Sequence, residues 1–301
     1  MRPPIFILGN PRSGTTLLRL MLTCHREVVV PPECGFAVWL WEKYRGWDRS
    51  TAAAMIGPFV DDVAAARKFD TWGIGQGELT EALAAAPPGS YAEAASRVYE
   101  CYGRRRGRSF ARWGDKNNLH VDHVATIDAI FPRAFFVHIV RDGRNVACSY
   151  KDLHAAHIES RYAPRLPWKA ADVAGDWQAA NAKIDAACRE LDAARVFRIR
   201  FEDLVTDTEA SLRALCEALG EDFDPAMLDY HRQNARQELE PAELLPWKRK
   251  TLQPPIPAEV DRFRRELERD EIAAFERVAG ATLEQYGYPL THHGEPRTED
   301  R

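Results

Sequence analysis

Short apolar runs broken by glycine, proline and charge alternate along this chain with longer stretches that carry leucine and alanine at helical spacing. Ile5-Phe-Ile-Leu8, ended by Gly9-Asn10-Pro11, reads as a buried strand running into a tight loop. Thr16 to Cys24 follows without glycine or proline and is rich enough in leucine for a mostly buried helix. Val28-Val-Val30 before Pro31-Pro32 gives a second strand, and Ala134 to Val140 a third, apolar enough to be covered on both faces. Arg195 to Phe201 alternates and suits a fourth strand nearer an edge. Between them lie helical patterns: Val124, Ile127, Ile130 and Phe131; Trp177 to Leu191; Leu212, Leu215, Cys216 and Leu219, closed by Gly220; and Pro257 to Tyr286. Strands alternating with helices predict an α/β fold, a single domain over residues 1–290 with a central parallel β-sheet flanked by helices. From about residue 36 to 112 the chain has no convincing strand but does have helical segments such as 91–106, so it reads as a helical insertion over the sheet, placed to shape a pocket. Residues 291–301 are polar and aperiodic, a frayed tail.

Composition narrows the class without changing that picture. A chain of 301 residues buries enough surface to fold without disulfides or metal. With 41 Lys+Arg against 45 Asp+Glu, a net charge of −4, 45% hydrophobic and 29% charged residues, it is neither disordered nor a nucleic-acid-coating protein. No apolar stretch approaches the ~20 residues that span a bilayer. The N-terminal apolar run breaks at Gly9-Asn10 before a secretory signal is built, which implies a cytoplasmic chain. The 6 cysteines are scattered singly, as reduced thiols are, and the histidine pairs His120/His123 and His154/His157 have no third ligand nearby, so no metal is expected.

Two segments carry chemistry. Gly9-Asn-Pro-Arg-Ser-Gly-Thr-Thr16 lies between a strand and a helix, where the backbone N–H groups of Arg12, Ser13, Gly14, Thr15 and Thr16 converge on an anion with help from the helix dipole. The nucleoside triphosphatase form of such a P-loop needs lysine where this chain has Thr15. Arg12 instead supplies a fixed charge, and Thr15 and Thr16 supply hydroxyls; the plainer alternative is a strand-to-helix turn capped by Ser13 or Thr15. In the second segment, Phe135 to Ser149, a buried strand ends at Arg141, where parallel sheets present ligand contacts. A helix starting at Asp142 or Gly143 puts Ser149 about two turns in, within reach of the ligand of Arg141. Guanidinium and hydroxyl together make a second phosphate site; separately, they are equally a surface ion-pair former and a helix filler.

Taken together, Asn10-Pro-Arg-Ser-Gly-Thr-Thr16 and Arg141-Asp-Gly-Arg-Asn-Val-Ala-Cys-Ser149 resemble the sulfotransferases that use 3′-phosphoadenosine 5′-phosphosulfate. The first is similar to their 5′-phosphosulfate loop and the second to their 3′-phosphate site. Arg198 to Asp207, Leu212 to Gly220 and Glu284 to Tyr288 resemble the runs that follow, so the likeness extends from about residue 4 to 289. It implies a P-loop-like phosphosulfate-binding loop and a donor with no triphosphate, which accounts for the missing lysine and for the absence of an expected metal. It further implies sulfuryl transfer to a hydroxyl or amine of a small-molecule or peptide acceptor.

The same resemblance assigns the catalytic roles. Glu33, just past Pro31-Pro32, stands where the tyrosylprotein-type and many bacterial members carry a glutamate base. Lys116 in Gly114-Asp-Lys-Asn117 resembles the lysine aimed at the bridging oxygen. Arg12 would join them from the loop. His120, displaced by two positions from the histidine of the cytosolic branch, is the runner-up base. Leu17 stands where that branch has an adenine-stacking tryptophan, and Lys248-Arg-Lys-Thr251 lacks the glycine of its Arg-Lys-Gly loop; both features favour the bacterial and tyrosylprotein-like branch. Lys248 and Arg249 are the candidates to close over the 3′-phosphate. Two other classes stay open on the residues alone: an ATP-dependent small-molecule kinase with a degenerate P-loop, and a non-catalytic nucleotide-binding module. The acceptor and the oligomeric state are not encoded in any motif.

Overall fold

The computed structural model describes residues 1–291; the remainder of the tail expected to fray lies outside the described residues. Five strands, β1 Ile5–Leu8, β2 Val28–Val29, β3 Arg112–Lys116, β4 Phe135–Val140 and β5 Val196–Arg200, form one parallel sheet in the order β2-β3-β1-β4-β5. Ile5 pairs with Gly114 on one side and with Phe135 on the other, so β1 is central. The chain leaves β1 toward β2 and β3, then returns past it to β4 and β5. The carboxyl end of β1 is therefore the switch point at which a doubly wound sheet opens a crevice.

Side-chain alternation along the strands divides the core. Ile5, Ile7, Val28 and Val30 face helix α1 (Thr15–Cys24), while Phe6, Leu8 and Val29 face the insertion. Between β2 and β3 the chain is helical, with α2 Ala52–Ala65, α3 Gln76–Ala85 and α4 Tyr91–Arg105. Tyr99 of α4 stacks on Trp113 of β3 with ring centroids 4.0 Å apart, so the insertion shares the core of the sheet. Beyond α5 (Val124–Ile130), helices α6 (Gly143–Ala155) and α7 (Ala170–Arg189) lead to β5. Helices α8 (Phe201–Thr206), α9 (Thr208–Leu219), α10 (Tyr230–Gln237) and α11 (Arg269–Gln285) follow. Gly220 closes α9 at φ 68°, the left-handed cap its position predicts.

Two expectations need correction. The strand-free stretch ends in a strand: β3 begins at Arg112 and is buried along its length. Its Arg-Trp-Gly-Asp-Lys sequence conceals it, because charge is tolerated inside a sheet only where it is paired. Arg112 donates to Glu221 Oε1 at 3.0 Å and to the Leu219 and Pro3 carbonyls, Asp115 accepts from Tyr99 Oη at 2.6 Å, and Lys116 pairs with Glu33. The pattern from Pro257 to Tyr286 is also not one helix. Single turns occupy its first part, and α11 starts at Arg269, where Glu268 and Glu271 form a reciprocal capping box.

Candidate active site

A cleft opens at the carboxyl ends of the strands, and the loop after β1 forms its floor. Arg12 has φ +68° and Gly14 φ +96°. Left-handed residues interleaved with right-handed ones turn successive N–H groups toward one point, an anion-binding concavity. Gly14 is required here for a second reason: a Cβ would lie 2.5 Å from the Phe201 ring. No side chain caps α1, which leaves its first N–H groups for a ligand. Ser13 Oγ is buried without a hydrogen-bond partner among the described residues, and Thr15 and Thr16 line the cleft.

The second motif meets the first. Asp142 caps α6 by accepting from Arg144 N at 2.8 Å, so the helix starts at Gly143 and Ser149 lies two turns in. Ser149 Oγ accepts from Arg12 Nε at 3.0 Å, and Arg141 donates to the Arg12 carbonyl at 3.2 Å. The Arg12 guanidinium donates also to the Trp247 carbonyl at 2.8 Å. Burial and the nearby Arg141 charge push the Arg12 guanidinium down to about 10. Arg141 is buried, stacks at 4.2 Å on Phe201, and donates to Glu259 at 3.2 Å.

Across the cleft, Glu33 is surrounded by lysines. It accepts from Lys116 of β3 and, at 2.5 Å, from Lys68 of the insertion, and Lys248 stands 4.0 Å away. Burial opposes its ionisation, but Lys116, Lys248 and Lys68 outweigh that and hold it well below the usual carboxylate range. Burial pushes Lys116 the other way, down to about 8 even with Glu33 beside it. Behind them, Glu240 accepts from Lys248 at 2.5 Å and from Arg19 at 2.6 Å. The array holds four cations, Arg19, Lys68, Lys116 and Lys248, against two carboxylates, Glu33 and Glu240. An unbalanced positive charge behind a phosphate loop suits an anionic ligand.

Residues 3–225, well over half of the chain, match the sulfotransferase family. The chain belongs to the sulfotransferase family. Among curated proteins it is 28% identical over 253 residues to omega-hydroxy-beta-dihydromenaquinone-9 sulfotransferase Stf3 of Mycobacterium bovis, covering 72% of this chain and 63% of that one. It is 24% identical over 234 residues to protein-tyrosine sulfotransferase 2 of Gallus gallus, covering 76% of this chain and 54% of the relative. The chain thus spans less than two thirds of the length of these relatives. Among solved structures, the sulfotransferase domain from the Synechococcus PCC 7002 olefin synthase superposes with a TM-score of 0.61 at 21% identity, over 97% of this chain and 98% of that one, a likeness of fold.

Within this family member, Arg12, Gly14, Thr15, Thr16, Glu33, Lys116, Arg141 and Lys248 share the cleft lining, and Ser149 joins them through Arg12. His120 does not line it: the ring is buried edge-on to Phe6 on the insertion side of the sheet, 3.2 Å from Asp115. Arg249 is exposed and away from the lining, whereas its neighbour Lys250 lines the cleft and donates to Glu259 at 2.7 Å. Lys248, expected over the 3′-phosphate, is instead buried between Glu240 and Glu33. Lys68, Lys250, Asn118 and Glu259 escape the sequence reading. One signal for the buried array was present: Arg19 sits among leucines in α1, where an arginine requires a carboxylate partner.

Proposed function

We propose that this chain transfers a sulfuryl group from 3′-phosphoadenosine 5′-phosphosulfate to a hydroxyl or amine of a small-molecule or peptide acceptor. The supporting observation is one cleft that combines a phosphate loop lacking the triphosphatase lysine with a Glu33–Lys116 ion pair beside it. The N–H groups of Arg12 to Thr16 would hold the 5′-phosphosulfate, and Arg141 and Ser149, with Arg12 between them, the 3′-phosphate. Leu17, Val205, Tyr230 and Ile256 give the cleft an apolar wall for the base.

Glu33 takes the acceptor proton as the acceptor oxygen bonds to sulfur. The bond from sulfur to the bridging oxygen breaks, its electron pair stays on the departing adenosine 3′,5′-bisphosphate, and Lys116 stabilises that charge. In the resting site Glu33 is a weak base because three lysines face it. A bound phosphosulfate gives Lys116 and Lys248 a competing anion, and Glu33 gains proton affinity as the acceptor requires it. Glu33 suits the role better than His120, which lies away from the cleft. A kinase reading lacks the lysine at Thr15. We further take residues 1–290 as one domain whose insertion contributes Lys68 to the acceptor side. Five of the six cysteines are buried singly, in keeping with a reducing, cytoplasmic setting.

The test is transfer of label from radiolabelled donor to a panel of phenols, alcohols and tyrosine peptides. Glu33→Gln is expected to lower turnover by roughly 10²–10⁴-fold, the usual worth of a general base, with bisphosphate affinity unchanged. Full turnover in the variant would remove Glu33 from the mechanism.

A further inference from the structure

Glu259 occupies a position that the donor reading leaves unexplained. Its carboxylate lines the cleft and is met by three cations: Lys250 donates to Oε1 at 2.7 Å, Arg141 donates to Oε2 at 3.2 Å, and Arg262 stands 3.7 Å from Oε2. Arg141 is 5% exposed, and its Nε has no hydrogen-bond partner among the described residues. Arg262 is also buried, held by Asp152 and Glu266 at 2.6 Å each. These cations approach from three separate elements: the end of β4, the turn Arg249–Leu252, and the segment before α11. A carboxylate held in that way occupies, with a single charge, the donors that a phosphate would take.

Resting on the donor reading above, we propose that Glu259 is a specificity-determining residue, a resident counter-ion that the 3′-phosphate of the nucleotide must displace from Arg141 and Lys250. A ligand with a dianionic 3′-phosphate outbids one carboxylate for the two cations, whereas a nucleotide without it leaves the Glu259 pairs intact and gains nothing from that side. Glu259 so lowers the affinity of the correct ligand while keeping lesser anions off an otherwise bare cluster of charge. Glu259 ends the segment 253–259, whose Pro254, Pro255 and Ile256 form part of the cleft wall. The Tyr230 hydroxyl, donating to the Gln253 carbonyl at 2.6 Å, anchors its near end.

The experiment is calorimetric titration of the full chain with adenosine 3′,5′-bisphosphate and with adenosine 5′-monophosphate, which lacks the 3′-phosphate. Glu259→Gln, with folding checked by thermal melting, is expected to bind the bisphosphate roughly tenfold more tightly, with monophosphate affinity unchanged. Lys250→Met is expected to weaken the bisphosphate alone. Unchanged or weaker bisphosphate binding in Glu259→Gln, or equal effects of Lys250→Met on both nucleotides, overturns the proposal. A wild-type chain that ignores the bisphosphate would contradict the donor reading itself, a separate outcome.

Discussion

Lys116 and Glu33 perturb each other, and the direction of each shift has a measurable consequence. Glu33, held well below its ordinary value, is ionised throughout the neutral range in the free protein, so the acid side of kcat/KM for the donor is not set there. Lys116, pushed down to about 8 by burial, loses its proton as pH rises through that value in the free protein. Neutral Lys116 no longer stabilises a leaving phosphate, so kcat/KM for the donor is expected to fall above about pH 8. Bound phosphosulfate favours the charged lysine, which moves the same limb in kcat to higher pH. Lys116→Arg, with a guanidinium that stays protonated, should abolish the limb. A profile flat to pH 10 in the wild type would show that Lys116 does not titrate in the working site.

At this scale the sequence was informative where a residue's neighbours constrain it. Arg12 sits in the glycine-bounded loop after β1, Arg141 directly follows β4, and Glu33 follows a short strand and two prolines, so their positions could be read. Lys68 is one of many charges in a long helical insertion, directly after Arg67, in a left-handed backbone conformation at φ +71° that no local motif announces. Only the tertiary fold brings it to Glu33.

Among the elements, α6 shows why the second motif has its composition. Asp142 caps the helix, and a Cβ on Gly143 would meet the Phe275 and Trp177 rings at 2.4 and 2.7 Å. Arg144 bonds Asp142, Glu276 of α11 and the Pro289 carbonyl, while Asn145 accepts from Phe263 N at 2.9 Å. The residues after Arg141 thus fix where its side chain points. Arg144 is 1% exposed, and removing one member of a buried ion pair costs about 3–5 kcal/mol because a charge is left unpaired. Arg144→Ala is expected to lose that much in chemical unfolding and to weaken bisphosphate binding through misplaced Arg141. A loss below about 1 kcal/mol would show that the buried Arg144 pairs contribute no more than a surface ion pair does. The start of this helix was legible from Asp142-Gly143, but β3 was not. Its charges are neutralised by residues from distant parts of the chain, Glu221 and Glu33 among them, and hydrophobic periodicity cannot register such pairing.

Over the whole molecule, the crossover at β1 brings two motifs more than a hundred residues apart into direct contact through Arg12 and Ser149. Apart from β3, the strands were readable because each is short, apolar or alternating, and followed by glycine, proline or a helix start. The cleft's charge balance was not, since it depends on which lysines and carboxylates the fold assembles. Two positive arrays result, one around Glu33 and one around Arg141, at different parts of a single cleft. That arrangement suits a ligand with anionic groups at both ends, and it leads to the measurement that tests the account most directly. Adenosine 3′,5′-bisphosphate and magnesium-ATP are titrated calorimetrically into the wild type and Arg141→Ala. The account predicts magnesium-independent binding of the bisphosphate, weakened in the variant by about 1.5–3 kcal/mol, the worth of a hydrogen bond to a charged group. Preference for magnesium-ATP, or bisphosphate affinity untouched by loss of Arg141, would contradict it.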